Sequence, residues 1–135
     1  MPLEIAKDSI DIGIVTKDAG PLLAFYRDTL GLTLEGEMDM PGGGKMTRLQ
    51  CGTTVVKIVV HGTEPGAEAT PGGIRTATGY RYWTISVNNI ESATAECAEA
   101  GYTVAVPVSE IRPGVRISMI EDPDGNWVEL LQIER

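Results

Sequence analysis

The feature that most restricts this chain's fold is a pattern carried twice: strand, helix, strand, strand, strand, at an offset of about 71 residues. In the first copy Ser9–Thr16 alternates as a strand, with Ile10, Ile12 and Ile14 on one face and Asp11, Gly13 and Val15 on the other. Asp18 can cap the helix that follows, Pro21 fits its first turn, and Leu22, Phe25, Tyr26, Thr29 and Leu30 recur at helical spacing until Gly31. Leu32–Met40, Lys45–Leu49 and Thr53–Val60 then read as three strands, the last rich in β-branched residues with Lys57 as its single charge. The second copy runs through the strand Tyr80–Val87, a cap at Asn88 or Asn89, and a helical stripe of Ile90, Ala93, Thr94, Cys97 and Ala98 ending at Gly101. Tyr102–Val108, Val115–Glu121 and Trp127–Ile133 complete it. The stretch His61–Gly79 has Gly62, Pro65, Gly66, Pro71, Gly72 and Gly73 and no periodicity, and so reads as a connection between units.

The second copy closes on IEDPDGNWVELLQ, Ile120–Gln132, in which Asp122-Pro123-Asp124-Gly125 separates two alternating runs and predicts a β-hairpin. Alternation puts Val128 and Leu130 on one face and Trp127, Glu129 and Leu131 on the other. A carboxylate in such company either faces water or lines a pocket, since burying it unpaired costs on the order of several kcal/mol. The repeat favours the pocket. Leu30-Gly31-Leu32 falls on Ala100-Gly101-Tyr102, Ile14 on Ile85, Asp11 on Tyr82 and Lys57 on Glu129. Each copy thus offers one residue from its first strand and one from its last, all on the less apolar face. A pseudo-twofold axis can bring four such residues to one central site.

With 135 residues there is room for one domain, or for two half-domains sharing a core. We expect a single domain over 1–135 made of two modules, about 8–62 and 79–134, joined by a Gly/Pro-rich linker at 63–78. The net charge of -8 argues against nucleic acid or an anionic membrane, which need clustered Lys and Arg, and leaves a small molecule or a protein partner. Cys51 and Cys97 stand far apart, suggesting neither a disulfide framework nor a structural zinc site. No basic leader follows Met1-Pro2-Leu3 and no long apolar run occurs, so a reduced, soluble, cytoplasmic protein is expected.

The segments IDIGIVTKD, LAFYRDTLGL, ISVNNI, the helix ending AEAG, and EDPDGNWVELLQ follow one another between Ile10 and Gln132. In this order they resemble the vicinal oxygen chelate superfamily, the glyoxalase, bleomycin-resistance and extradiol-dioxygenase group. The resemblance implies an α+β fold of two βαβββ modules whose mixed sheets curl into a cup, usually in a homodimer, with the ligand inside. It also implies that the four repeat-related positions are those where enzymes of the family commonly hold a divalent metal with His or Glu. Here they read Asp11, Lys57, Tyr82 and Glu129, and only Glu129 keeps the pattern. Asp11 could serve an oxygen-preferring ion, but a protonated Lys57 has no lone pair and a phenol with a pKa of about 10 is a poor ligand. The only histidine, His61, reads as a surface residue. The expectation is therefore no metal and no cofactor, with Lys57 supplying the charge that compensates Asp11 and Glu129. On its own strand Lys57 equally fits an exposed lysine that discourages edge pairing.

Two functions stand ahead of a third, a ligand-sensing or scaffolding domain. The preferred one is a non-catalytic protein that sequesters an aromatic or polycyclic antibiotic, of bleomycin- or enediyne-type resistance, in a cleft between the modules. Trp127, Glu129, Tyr82, Asp11, Lys57, Tyr80, Met38, Met40, Met46, Leu49 and Leu131 would bind it, aromatic faces and adaptable thioethers suiting a large flat ligand. Trp83 is assigned to the core, and Met40–Gly44 is a hairpin loop or a lip over the cleft. The alternative is an isomerase, lyase or dioxygenase-like enzyme that uses Glu129 and Asp11 as acid and base, or an altered metal site.

Overall fold

The computed structural model describes residues 2–134, which form two compact units, one ending at Gly66 and the next beginning at Ala67. The first contains β1 (Ile12–Val15), α1 (Ala19–Leu23), a π-helical continuation (Ala24–Thr29), β2 (Thr33–Asp39), β3 (Gly44–Cys51) and β4 (Thr54–His61). Its sheet has the order β1-β4-β3-β2, with β1 parallel to β4 and the other pairs antiparallel.

Asp18 caps α1 by accepting the Gly20 N–H at 3.0 Å, as its position in the sequence suggests. From Ala24 the coil widens: the Leu30 N–H donates to the Phe25 carbonyl, five residues back, at 2.9 Å. The widening lets two neighbours in sequence, Phe25 and Tyr26, both turn inward, fully buried and edge to face at 4.8 Å. They and Leu22 form a core with Leu49, Val56 and Ile58, all of which are also fully buried. β2 and β3 close as a tight hairpin, in which the Gly43 N–H donates to the Met40 carbonyl. Gly44 is required there, since at φ 88° a Cβ would lie 2.1 Å from the Val60 carbonyl oxygen.

The second unit repeats the plan with β5 (Tyr82–Ser86), α2 (Ile90–Glu99), β6 (Val104–Arg112), β7 (Val115–Glu121) and β8 (Trp127–Ile133), in the order β5-β8-β7-β6. β5 runs parallel to β8. α2 buries Ile90, Thr94 and Cys97, and a buried hydrogen bond of 2.8 Å joins the Thr94 hydroxyl to that of Ser118 on β7. Gln132 Oε1 accepts the Ile90 N–H, so the N-terminus of α2 is satisfied from β8 rather than by the Asn89 side chain. The β7–β8 turn is built on Asp122, 4% exposed, whose Oδ1 accepts the N–H groups of Asp124 and Asn126.

The Gly/Pro-rich stretch is not structureless throughout. Gly73–Arg75 forms one 3₁₀ turn, and the Arg81 side chain donates to the carbonyls of Thr70 and Gly73, each at 2.7 Å, and to the Thr76 hydroxyl at 3.1 Å. A guanidinium fork offers five donors, so one side chain can hold a segment that lacks a ladder of its own.

Candidate ligand-binding site

In each unit the helix packs on one face of the sheet, and the candidate residues belong largely to the other face. In the first unit Asp11 lies just ahead of β1. Its Oδ1 accepts the Lys7 ammonium at 2.7 Å and the Val55 N–H at 2.8 Å. The Lys7 hydrogen bond, followed by that of Val55, holds the Asp11 carboxyl below the usual carboxylate value against partial desolvation, and the Lys7 and Lys57 charges add to the effect. Lys57 is half-buried on β4 between Gly13 of β1 and Arg48 of β3. Arg48 is itself paired with Glu35 at 3.0 Å, which offsets two like charges side by side. Met46 is half-buried opposite Met38, which is 48% exposed. Met40, also half-buried, ends the strand at the hairpin turn, so Met40–Gly44 is the hairpin loop.

Leu49 does not join this group. It pairs with Val56, on the face of Ile12 and Ile58, and is fully buried under α1. The reason is parity: residues 46 and 49 of one strand must point to opposite faces.

In the second unit Glu129 is half-buried between Thr84 on β5 and Met119 on β7. The Thr84 hydroxyl donates to Glu129 Oε1 at 2.7 Å. Tyr82, 48% exposed, stands beside Trp127, and the half-buried Leu131 beside Ser86 and Ile117. Tyr80 precedes β5 and is wholly exposed. Trp83 is half-buried and pairs with Val128, on the face that carries Leu130 and α2.

Trp127 corrects an expectation. The residue is 2% exposed rather than an open wall, because the backbone of Gly73 packs closely against the indole and the Arg75 guanidinium sits 5.3 Å from its centroid. Its Nε1–H donates to Glu121 at 3.2 Å. His61 lies exposed at the end of β4, with Nδ1 set against the Thr63 backbone at 3.1 Å.

The donors at the family's metal positions do not fit a divalent ion. The first unit supplies an ammonium and a carboxylate already held by another ammonium, and the second supplies a phenol and a carboxylate held by a hydroxyl. Among the described residues no three His, Cys, Asp or Glu side chains gather in a metal-binding group. Likewise among the described residues, no helix is long and apolar enough to cross a membrane.

Two partners of the carboxylates were missed from the residue pattern. Thr84 lies two positions after Tyr82 on the same face, and the parallel register of β5 with β8 sets it opposite Glu129. Lys7 precedes any periodic run and is signalled only by its spacing of four from Asp11.

The two-sheet architecture recurs in solved structures. A glyoxalase family protein from Bacillus cereus has a TM-score of 0.81 at 17% identity, over 98% of this chain and 100% of that one. The trypanothione-dependent glyoxalase I of Leishmania major gives 0.68 at 21% identity, over 94% and 87% of the two chains. TnmS3, an antibiotic binding protein from Streptomyces sp. CB03234, gives 0.68 at 20%, over 97% and 100%. No curated protein matches the sequence. At these identities the likenesses show the fold. The family is shown by the sequence itself: with residues 10–130 matching its pattern, the chain belongs to the Glyoxalase/Bleomycin resistance protein/Dioxygenase superfamily.

Proposed function

We propose that the protein is a non-catalytic small-molecule binder that sequesters a flat aromatic or polycyclic antibiotic on the helix-free faces of its sheets. The observation that carries this reading is the condition of the two carboxylates. Asp11 is bound by Lys7 and Val55 and Glu129 by Thr84, while a lysine stands where the family's enzymes place a metal ligand. A general base works best with a pKa near the working pH, and the Asp11 carboxyl is pushed the other way. On the same sheet faces lie Val15, Met38 and Met46 in the first unit and Tyr82 and Leu131 in the second, which offer apolar contact with little charge. The fold likeness to TnmS3, an antibiotic binding protein, supports the same reading. A homodimer is part of it, to be checked by light scattering.

The test has two arms. Elemental analysis of protein purified without chelator should find no stoichiometric zinc, iron, nickel or manganese. A thermal-shift screen of polycyclic antibiotics should find a stabilising ligand, with binding then measured by calorimetry. One equivalent of metal lost on Glu129→Ala, or substrate turnover abolished by Glu129→Gln, would replace this reading with the enzyme.

A further inference from the structure

The segment Thr70–Thr76 crosses the ring of Trp127 in an unusual way. Gly73, at φ 56°, is buried so tightly that a Cβ on it would lie 2.1 Å from the indole. Two residues on, the Arg75 guanidinium covers the ring at 5.3 Å. The Gly73 backbone and a planar cation thus pack against an indole held in orientation by Glu121. The Arg81 side chain ties this strap to β5, donating to the carbonyls of Thr70, Pro71 and Gly73 and to the Thr76 hydroxyl. Beside the strap opens a cleft of about 430 Å³, bounded by Pro71 of the strap, by Tyr102 and Thr103, and by Glu121, the partner of the indole N–H. That volume suits a small organic ligand.

We propose that Thr70–Thr76 is a movable cover and that the slot it fills on Trp127 is a ring-stacking subsite, with Gly73 and Arg75 as internal stand-ins for a flat aromatic ligand. The proposal rests on the reading of the protein as a binder of aromatic molecules and locates one of its contacts. Arg81 is the clip. With the cover closed, the apparent affinity for a ring is reduced by the small fraction of molecules in which the slot is open. A ligand that stacks there exchanges one set of ring contacts for another, while its substituents enter the cleft.

The experiment uses the full chain with Trp83→Phe, which leaves Trp127 as the single tryptophan. Two variants lift the strap by independent means: Arg81→Ala removes the clip, and Gly73→Ala wedges a methyl against the ring. Acrylamide quenching reads the cover without any ligand, and calorimetry with proflavine, a flat cation suited to a cleft lined by Glu121, Asp122 and Asp124, reads the slot. We expect both variants to redden Trp127 emission, to raise the quenching constant about threefold, and to bind the probe about tenfold more tightly than the parent. Circular dichroism confirms folding, and Arg81→Lys serves if Arg81→Ala is unstable. Unchanged quenching in folded variants overturns the movable cover. Increased quenching with unchanged probe affinity overturns the subsite, and if the parent still binds polycyclic antibiotics the proposed function survives that result. Absence of aromatic binding in every form defeats both.

Discussion

Leu49→Ala and Met46→Ala test which face of β3 is built for a ligand. The two residues stand three apart on one strand, and the cross-strand register places them on opposite faces. Leu49 is fully buried against Val56. Its side chain is worth about 1.5–3 kcal/mol in transfer from water. Truncation also leaves a cavity, because the neighbouring Phe25, Tyr26 and Ile58 are locked in the same core, so the total loss should be about 2–5 kcal/mol. For a chain of this size that lowers the melting midpoint by roughly 10 °C. Met46 is only half-buried, so Met46→Ala should cost about 1 kcal/mol or less while weakening ligand binding several-fold. Differential scanning calorimetry, with ligand titrations on the folded fraction, reads both quantities. A Leu49→Ala protein that melts like the parent but binds ligand poorly would refute the face assignment.

Three further outcomes follow from the geometry. Thr94→Val should cost about 1–3 kcal/mol by stranding the buried Ser118 hydroxyl, whereas Thr94→Val with Ser118→Ala should recover most of it; additive losses in denaturant melts would contradict this. Trp127→Ala should destabilise by about 3–5 kcal/mol, since the indole is interior to its unit, and an unshifted midpoint would show that it is not. Asp11 has a folded-state pKa below its ordinary 3.8, so its share of stability is present above about pH 4 and lost as the pH falls. The stability difference between parent and Asp11→Asn should therefore narrow progressively as the pH falls below about 4, and a difference that does not shrink on acid titration would refute it.

Period-two alternation and turn chemistry made the eight strands legible, because each half-buried strand must separate its faces and each hairpin needs its glycine or aspartate. The same parity, applied to Met46 and Leu49, would have removed Leu49 from the candidate site. The exposure of Trp127 was not legible. Alternation tells which way a side chain points, but what covers it depends on a loop whose placement comes from Arg81 binding carbonyls far along the chain. The Glu129–Thr84 bond lies between these cases, as it requires the parallel pairing of β5 with β8 to be counted residue by residue. α1 was recognisable as a helix, yet its π-helical half was not, because the sequence carries the apolar stripe and the widening answers the need to bury two adjacent rings.

The parallel pairing of the first and last strand in each unit has a consequence for the order of assembly. Asp11 and Val55 meet across 44 residues, and Thr84 and Glu129 across 45, so each contact closes a loop about two thirds as long as the unit that contains it. Hairpins such as β2–β3 and β7–β8 can form early from neighbours, whereas these pairings bear the full entropy of chain closure and should form late. On a ribosome neither can form until its last strand has emerged. Glu129 thus gains the Thr84 hydroxyl, and Asp11 gains the Val55 N–H beside its local partner Lys7, only at the step that completes each unit, after the hairpins are in place.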